Sequence, residues 1–170
     1  LKRDATGKWG KTELGKGFQE AGKLPGSSEI TMGVLQGGMS FLISIEPWHG
    51  HQVAVYMPEN KEGDVLLRRT VIEERFNAGH ALACADFDGD GEDEIIAGYR
   101  GEGYSIYYYD YAQEKAMWER SLVDRGGVAA QGFAVGDVNG DGAIDFVATG
   151  GTTHNLKLYL NRSGDKKTLK

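Results

Sequence analysis

Apolar and polar residues along this chain alternate with a period of two, in short runs separated by glycine-rich stretches. That is the pattern of half-buried strands joined by tight turns. A first group of strands is predicted at Glu29–Val34, Phe41–Glu46, Gln52–Met57 and Leu66–Ile72. A second falls at Ala81–Ala85, Ile95–Gly98, Tyr104–Asp110 and Met117–Val123, and a third at Gly132–Gly136, Asp145–Thr149 and Leu156–Leu160. No stretch combines a 3.6-residue period with caps, so helix is expected to be scarce.

The groups are copies of one another. Asp86-Phe-Asp-Gly-Asp-Gly-Glu-Asp-Glu-Ile-Ile-Ala-Gly98 reappears 51 residues later as Asp137-Val-Asn-Gly-Asp-Gly-Ala-Ile-Asp-Phe-Val-Ala-Thr149. A weaker upstream copy, Leu42 to Tyr56, parallels Ile95 to Tyr109. Four short strands per roughly 40–50 residues is the arithmetic of a propeller blade. The expected fold is therefore all-β, with three four-stranded antiparallel β-propeller blades, the last incomplete. Residues 1–16 read as the outer strand of a missing preceding blade, carried by Gly7–Leu14. Residues 17–75 are a blade without a metal loop, 76–124 and 125–163 are blades with one, and 164–170 are a charged tail. A ring needs about four blades or more to close. The chain is thus expected to be the remainder of a larger propeller or to form a homo-oligomer that covers its open faces.

Composition narrows the function classes. Among 170 residues 26 are glycine, far above the usual ~7%, and only three are proline. The formal net charge of −6 argues against nucleic acid, whose phosphates require Lys and Arg. No apolar run approaches the ~20 residues of a membrane-spanning helix. The lone cysteine, Cys84, sits in an apolar run and reads as a small buried residue. No secretory signal is visible.

The repeated loops carry candidate chemistry. Asp86, Asp88, Asp90 and Glu94 stand at loop positions 1, 3, 5 and 9, with the Glu92 carbonyl at position 7. The second loop offers Asp137, Asn139, Asp141 and Asp145, with the Ala143 carbonyl. Hard oxygen donors at alternate positions around a glycine turn suit Ca²⁺, so two calcium ions are expected, bracing the loops. They point to an extracytoplasmic or secreted setting. An EF-hand is excluded: position 12 is Ala97 or Ala148, and the flanks are strands. Polar hairpin turns without metal are the competing reading. The first group has no carboxylate between Gly33 and Phe41 and is expected to be metal-free.

The Asp-x-Asp/Asn-x-Asp-Gly loops followed by Ile-Ile-Ala-Gly or Phe-Val-Ala-Thr resemble FG-GAP/VCBS-type propeller repeats. Ile45-Glu-Pro-Trp-His-Gly50, Gly79-His-Ala-Leu82, Gly98-Tyr-Arg100 and Thr153-His-Asn-Leu-Lys-Leu-Tyr159 are similar to the propeller domain of aldos-2-ulose dehydratase-like proteins. That resemblance covers roughly residues 25–162. It implies a seven-bladed parent, of which this chain would be the last three blades, and a zinc ion assisting sugar dehydration.

Strand parity puts His80, before an inner strand, on the same face as the loops holding His49, His51 and His154, away from the calcium loops. His49, His80 and His154, with His51 as the alternative, are the expected zinc ligands, since three ligands plus an open position make a catalytic zinc site. Loop histidines facing solvent are the bland alternative. Arg100 on the same face is a candidate for holding a sugar oxygen or an anionic intermediate, and Glu46 a candidate base. The expected partner is a carbohydrate or small sugar, with a non-catalytic module binding protein or glycan as the alternative function. There is no Ser-His-Asp order, phosphate loop or dinucleotide fingerprint.

Overall fold

The computed structural model describes residues 6–11, 13–14, 17–18, 21–22, 24–59 and 67–162. Leu66, Thr12 and the tail from residue 163 onward, which carry parts of the sequence reading, lie outside the described residues. Three antiparallel sheets follow in chain order. The first is β1 (Glu29–Leu35), β2 (Met39–Glu46), β3 (Gln52–Pro58) and β4 (Leu67–Glu73). The second is β5 (Gly79–Ala85), β6 (Glu94–Tyr99), β7 (Ser105–Ala112) and β8 (Met117–Arg125). The third is β9 (Ala130–Gly136), β10 (Asp145–Gly150) and β11 (Leu156–Tyr159). The only helical segments among the described residues are single 3₁₀ turns at Gln36–Gly38 and Gln113–Lys115. No described helix is long and apolar enough to cross a membrane.

The sheets are blades of a partial propeller. Inner strand β5 lies between inner strands β1 and β9, and each sheet runs outward from its inner strand. The period-two pattern explains the stacking. On the middle blade Leu82, Cys84, Ile95, Ala97, Tyr109 and Trp118 face the first blade, where they meet Phe41, Ile43, Ile45, Val53 and Val55. The alternate residues Ala81, Ile96 and Ile106 face the third blade, against Ala130, Phe146 and Ala148. Near the axis the blades approach so closely that a Cβ on Gly98 would stand 2.6 Å from Ala130 Cβ, so that position requires glycine.

Two faces lack this cover. The far side of the first blade leaves Ile30 and Met32 60% exposed, and the far side of the third leaves Leu156 70% exposed. Among the described residues no fourth strand lies on the outer edge of β11. Within Gly7–Leu14 the described residues show one isolated bridge, at Trp9.

The seams also hold polar links. Buried Glu73 at the end of β4 accepts from Arg75 and from Arg120 of β8, whose guanidinium lies 4.6 Å from the Tyr107 ring. Asn161 donates from its amide to the carbonyls of Phe87 and Ile144, tying the third blade to the middle loop.

Candidate functional site

The two acidic loops fold identically. In the first, Asp86 Oδ1 accepts from the backbone N–H of Gly89 at 2.7 Å and Asp90 at 3.1 Å, and Oδ2 from Gly91 at 3.1 Å. In the second, Asp137 accepts from Gly140, Asp141 and Gly142 at 2.7, 3.2 and 3.0 Å. Each loop turns through glycines in the left-handed region, Gly91 at φ 93° and Gly142 at φ 87°. The position 9 carboxylates are buried and pin the loop: Glu94 accepts from Phe87 N–H at 2.8 Å, Asp145 from Val138 N–H at 2.9 Å and Asn161 N–H at 2.8 Å.

The loops differ in what they gather. Asp86, Asp88, Asp90 and Glu94 each bring one oxygen within 4.8 Å of the others, the only such group of His, Cys, Asp or Glu among the described residues. The group carries the strain of like charge. Burial, then the Asp88 charge, pushes the Glu94 carboxyl up to about 7 against the opposing Phe87 N–H, and burial with Asp90 raises Asp88. In the second loop Asn139 donates to Asp141 at 2.8 Å, and Asp141 is held below the usual range by the Ala143 N–H and Asn139. The side chain of Glu92 is occupied by Gln113 and Gln36 N–H, which leaves the position 7 donor to its carbonyl. Asp93 bonds Val34 N–H at 2.8 Å, so the loop also caps the neighbouring turn of the first blade.

The opposite end of the blades carries the second cluster. His49 and His80 lie with ring centroids 5.0 Å apart and planes tilted by 34°, and the Trp48 ring centroid lies 4.5 Å from that of His49. Arg100 Nη2 is 3.1 Å from Nδ1 and 3.2 Å from Nε2 of His49, while Nη1 donates to Gln131 Oε1 at 2.8 Å. His80 Nδ1 lies 2.9 Å from the Gln131 carbonyl, which only accepts, so the proton is on Nδ1. Its Nε2 then accepts from the Gln131 amide at 3.2 Å. Burial, Arg100 and His80 together lower the His49 pKa and keep that ring neutral.

The histidines thus separate. His49 and His80 meet; His154 is exposed, at φ 51°, and joins no metal-ligand group among the described residues. His51 faces Phe18, at 6.3 Å. Glu46 points to the far side of its sheet, 1% exposed, where it accepts from Tyr56, from Arg69 Nε at 3.0 Å and from Phe18 N–H at 2.8 Å.

Gln131 is the member of this cluster that residue chemistry alone did not pick out. The available signal was positional: it lies 51 residues after His80, the offset at which the acidic loops repeat. Equivalent positions of successive repeats become neighbours across a seam.

No curated protein matches the chain. Residues 86–148, from the first acidic loop into β10 of the third blade, match the family described as FG-GAP-like repeat, in keeping with the blades of a partial propeller.

Proposed function

We propose that the chain is a calcium-braced propeller module whose loop face, at the end remote from the calcium loops, binds a carbohydrate. The observation that carries the calcium reading is the approach of four carboxylate oxygens within 4.8 Å at Asp86, Asp88, Asp90 and Glu94. Such crowding of anions on a loop is costly without a cation, and the donors are the hard oxygens Ca²⁺ takes. Asp137, Asn139, Asp141, Asp145 and the Ala143 carbonyl offer a second, weaker site. Both ions would hold a loop against its blade rather than meet a substrate. The open faces of the first and third blades are covered by further blades or by a second copy of the chain.

The sugar reading rests on exposed Trp48 beside a row of directed polar groups, His49, Arg100, Gln131 and His80. An aromatic face with fixed donors and acceptors is how polyhydroxylated rings are held. Zinc-dependent dehydration, implied by the resemblance to aldos-2-ulose dehydratase-like proteins, would use this same face and is favoured by the His49–His80 pairing. It fits the donor set poorly: both His80 nitrogens are engaged by Gln131, and the Arg100 guanidinium stands against His49. Glu46 would have to release Arg69 to act as a base.

Metal analysis after mild chelation tests the calcium reading and separates the two functions. Calcium removed by EGTA and rebound at two sites per chain, without zinc, is the expected result. Zinc near one per chain, with release of an unsaturated ketone from a 2-keto sugar, would establish the dehydratase. A chain that binds no calcium overturns the proposal.

A further inference from the structure

The ligand of the loop face can be assigned a charge. Arg100 is half-buried in a protein with 25 acidic and 19 basic residues, yet among the described residues it pairs with no carboxylate. The other half-buried arginine, Arg69, has one, at 2.9 Å from Glu46. Arg100 instead rests between a histidine ring and an amide oxygen, both neutral. A guanidinium carries five N–H donors; Gln131 and His49 occupy one nitrogen each, and Nε–H is unengaged.

Its neighbours fix it rather than neutralise it. Gln131 uses both ends of its amide, Oε1 toward Arg100 and Nε2 toward His80, and its carbonyl holds His80 Nδ1–H. Both His80 nitrogens are thus engaged by Gln131, and the Arg100 guanidinium is the charged donor of the cluster. Trp48, 46% exposed, borders it through His49.

We propose that this face binds a sugar acid, with the carboxylate received by Arg100 and the pyranose ring laid against Trp48. The inference rests on the carbohydrate reading above and adds the charge. One planar fork matches one planar carboxylate in two parallel hydrogen bonds. A phosphate dianion would meet only one compensating charge. A metal cation would meet a guanidinium. Gln131 is a positioning residue: it holds Arg100 in the orientation that leaves the fork free.

The test uses the calcium-loaded chain and ligand-observed NMR with D-galacturonate, D-galactose and inorganic phosphate. Galacturonate is expected to bind at least about tenfold more tightly than galactose, since charge-assisted hydrogen bonds are about twice as strong as neutral ones. R100Q should remove that preference, bringing galacturonate affinity down to that of galactose. R100K, which keeps the charge and loses the fork, should fall between. Thermal melting of each variant checks that it is folded, and Gln131→Leu should weaken galacturonate binding more than galactose binding. Equal binding of galactose and galacturonate leaves the carbohydrate reading standing and overturns the carboxylate assignment. Phosphate competing as well as galacturonate, or galacturonate affinity unchanged in R100Q, also overturns it. Binding of neither sugar overturns both.

Discussion

Removing calcium should make the stability of this protein fall as pH rises from about 4.5 to about 7, and Glu94 sets the sign. Its carboxyl is 1% exposed, and burial with the Asp88 charge lifts it from 4.5 to about 7. Between those values the folded metal-free chain holds a proton that the unfolded chain has lost. Stability is then highest below the unfolded value and declines until the folded value is passed. A lift of that size is worth at most about 3 kcal/mol, and screening at exposed Asp88 and Asp90 brings the expectation nearer 2. In a chain of this length that is about 4–8 °C in Tm. Calcium does the work of the proton and of more, so binding at pH 7 should expel about half a proton, and affinity should climb with pH across the same range. His49 acts in the opposite sense, because its lowered pKa costs stability as pH falls through the ordinary imidazole range. The comparison is therefore between wild type and Glu94→Gln, both in EGTA, by calorimetric unfolding between about pH 4.5 and pH 7.5. The wild type should lose Tm relative to the variant toward high pH. Calcium titrations in two buffers of different ionisation enthalpy count the protons. A difference that is flat or of opposite slope, or calcium binding with no proton release, would refute the account.

Four further outcomes follow from particular contacts. Calcium should bind the Asp86 loop more tightly than the Asp137 loop by tenfold or more, read by calorimetry on Asp86→Ala and Asp137→Ala, because only the first gathers four carboxylates. Arg120→Ala should cost about 3 kcal/mol in denaturant unfolding, since it leaves buried Glu73 with the exposed Arg75 as its one ion-pair partner among the described residues, beside the backbone N–H of Glu74 and Arg75. Burial raises Glu73 but the hydrogen bonds from Arg75 and Arg120 outweigh it and lower its pKa, so that contribution vanishes in acid as pH falls through the folded value. Tyr109→Phe should be neutral or stabilise by about 1 kcal/mol, because the buried Tyr109 hydroxyl has no hydrogen-bond partner. Sedimentation at tens of micromolar should show self-association through the faces that bear Ile30, Met32 and Leu156, and a clean monomer would count against their need for cover.

The fold was legible because strand periodicity and turn glycines are local. Every described strand lies within two residues of its predicted ends, and the inner-to-outer order within each blade follows from hairpin connections alone. The donors of the acidic loops were legible for the same reason: alternate residues of a glycine turn face one centre whatever surrounds them. Their unequal ligand charge, four carboxylates against three and Asn139, was legible too; what was not is that Asn139 turns its amide to Asp141 and how deeply Glu94 is buried.

The histidine face shows where sequence stopped. Parity assigns His49, His80 and His154 to one end of the blades, but only the packing angle between blades decides which of them touch. Neighbouring blades bring positions 51 apart into contact, which joins His49 to Arg100 and His80 to Gln131. Glu46 is turned away by a different alternation, since side chains of consecutive strand residues point to opposite faces of the sheet and Glu46 lies on the face with Tyr56 and Arg69. The sequence by itself determined the strands, the repeat and the chemistry of the loops, all set by interactions a few residues long. The tertiary structure decided which polar groups meet, how deeply each carboxylate is buried and which faces remain open, because those depend on seams between segments some fifty residues apart.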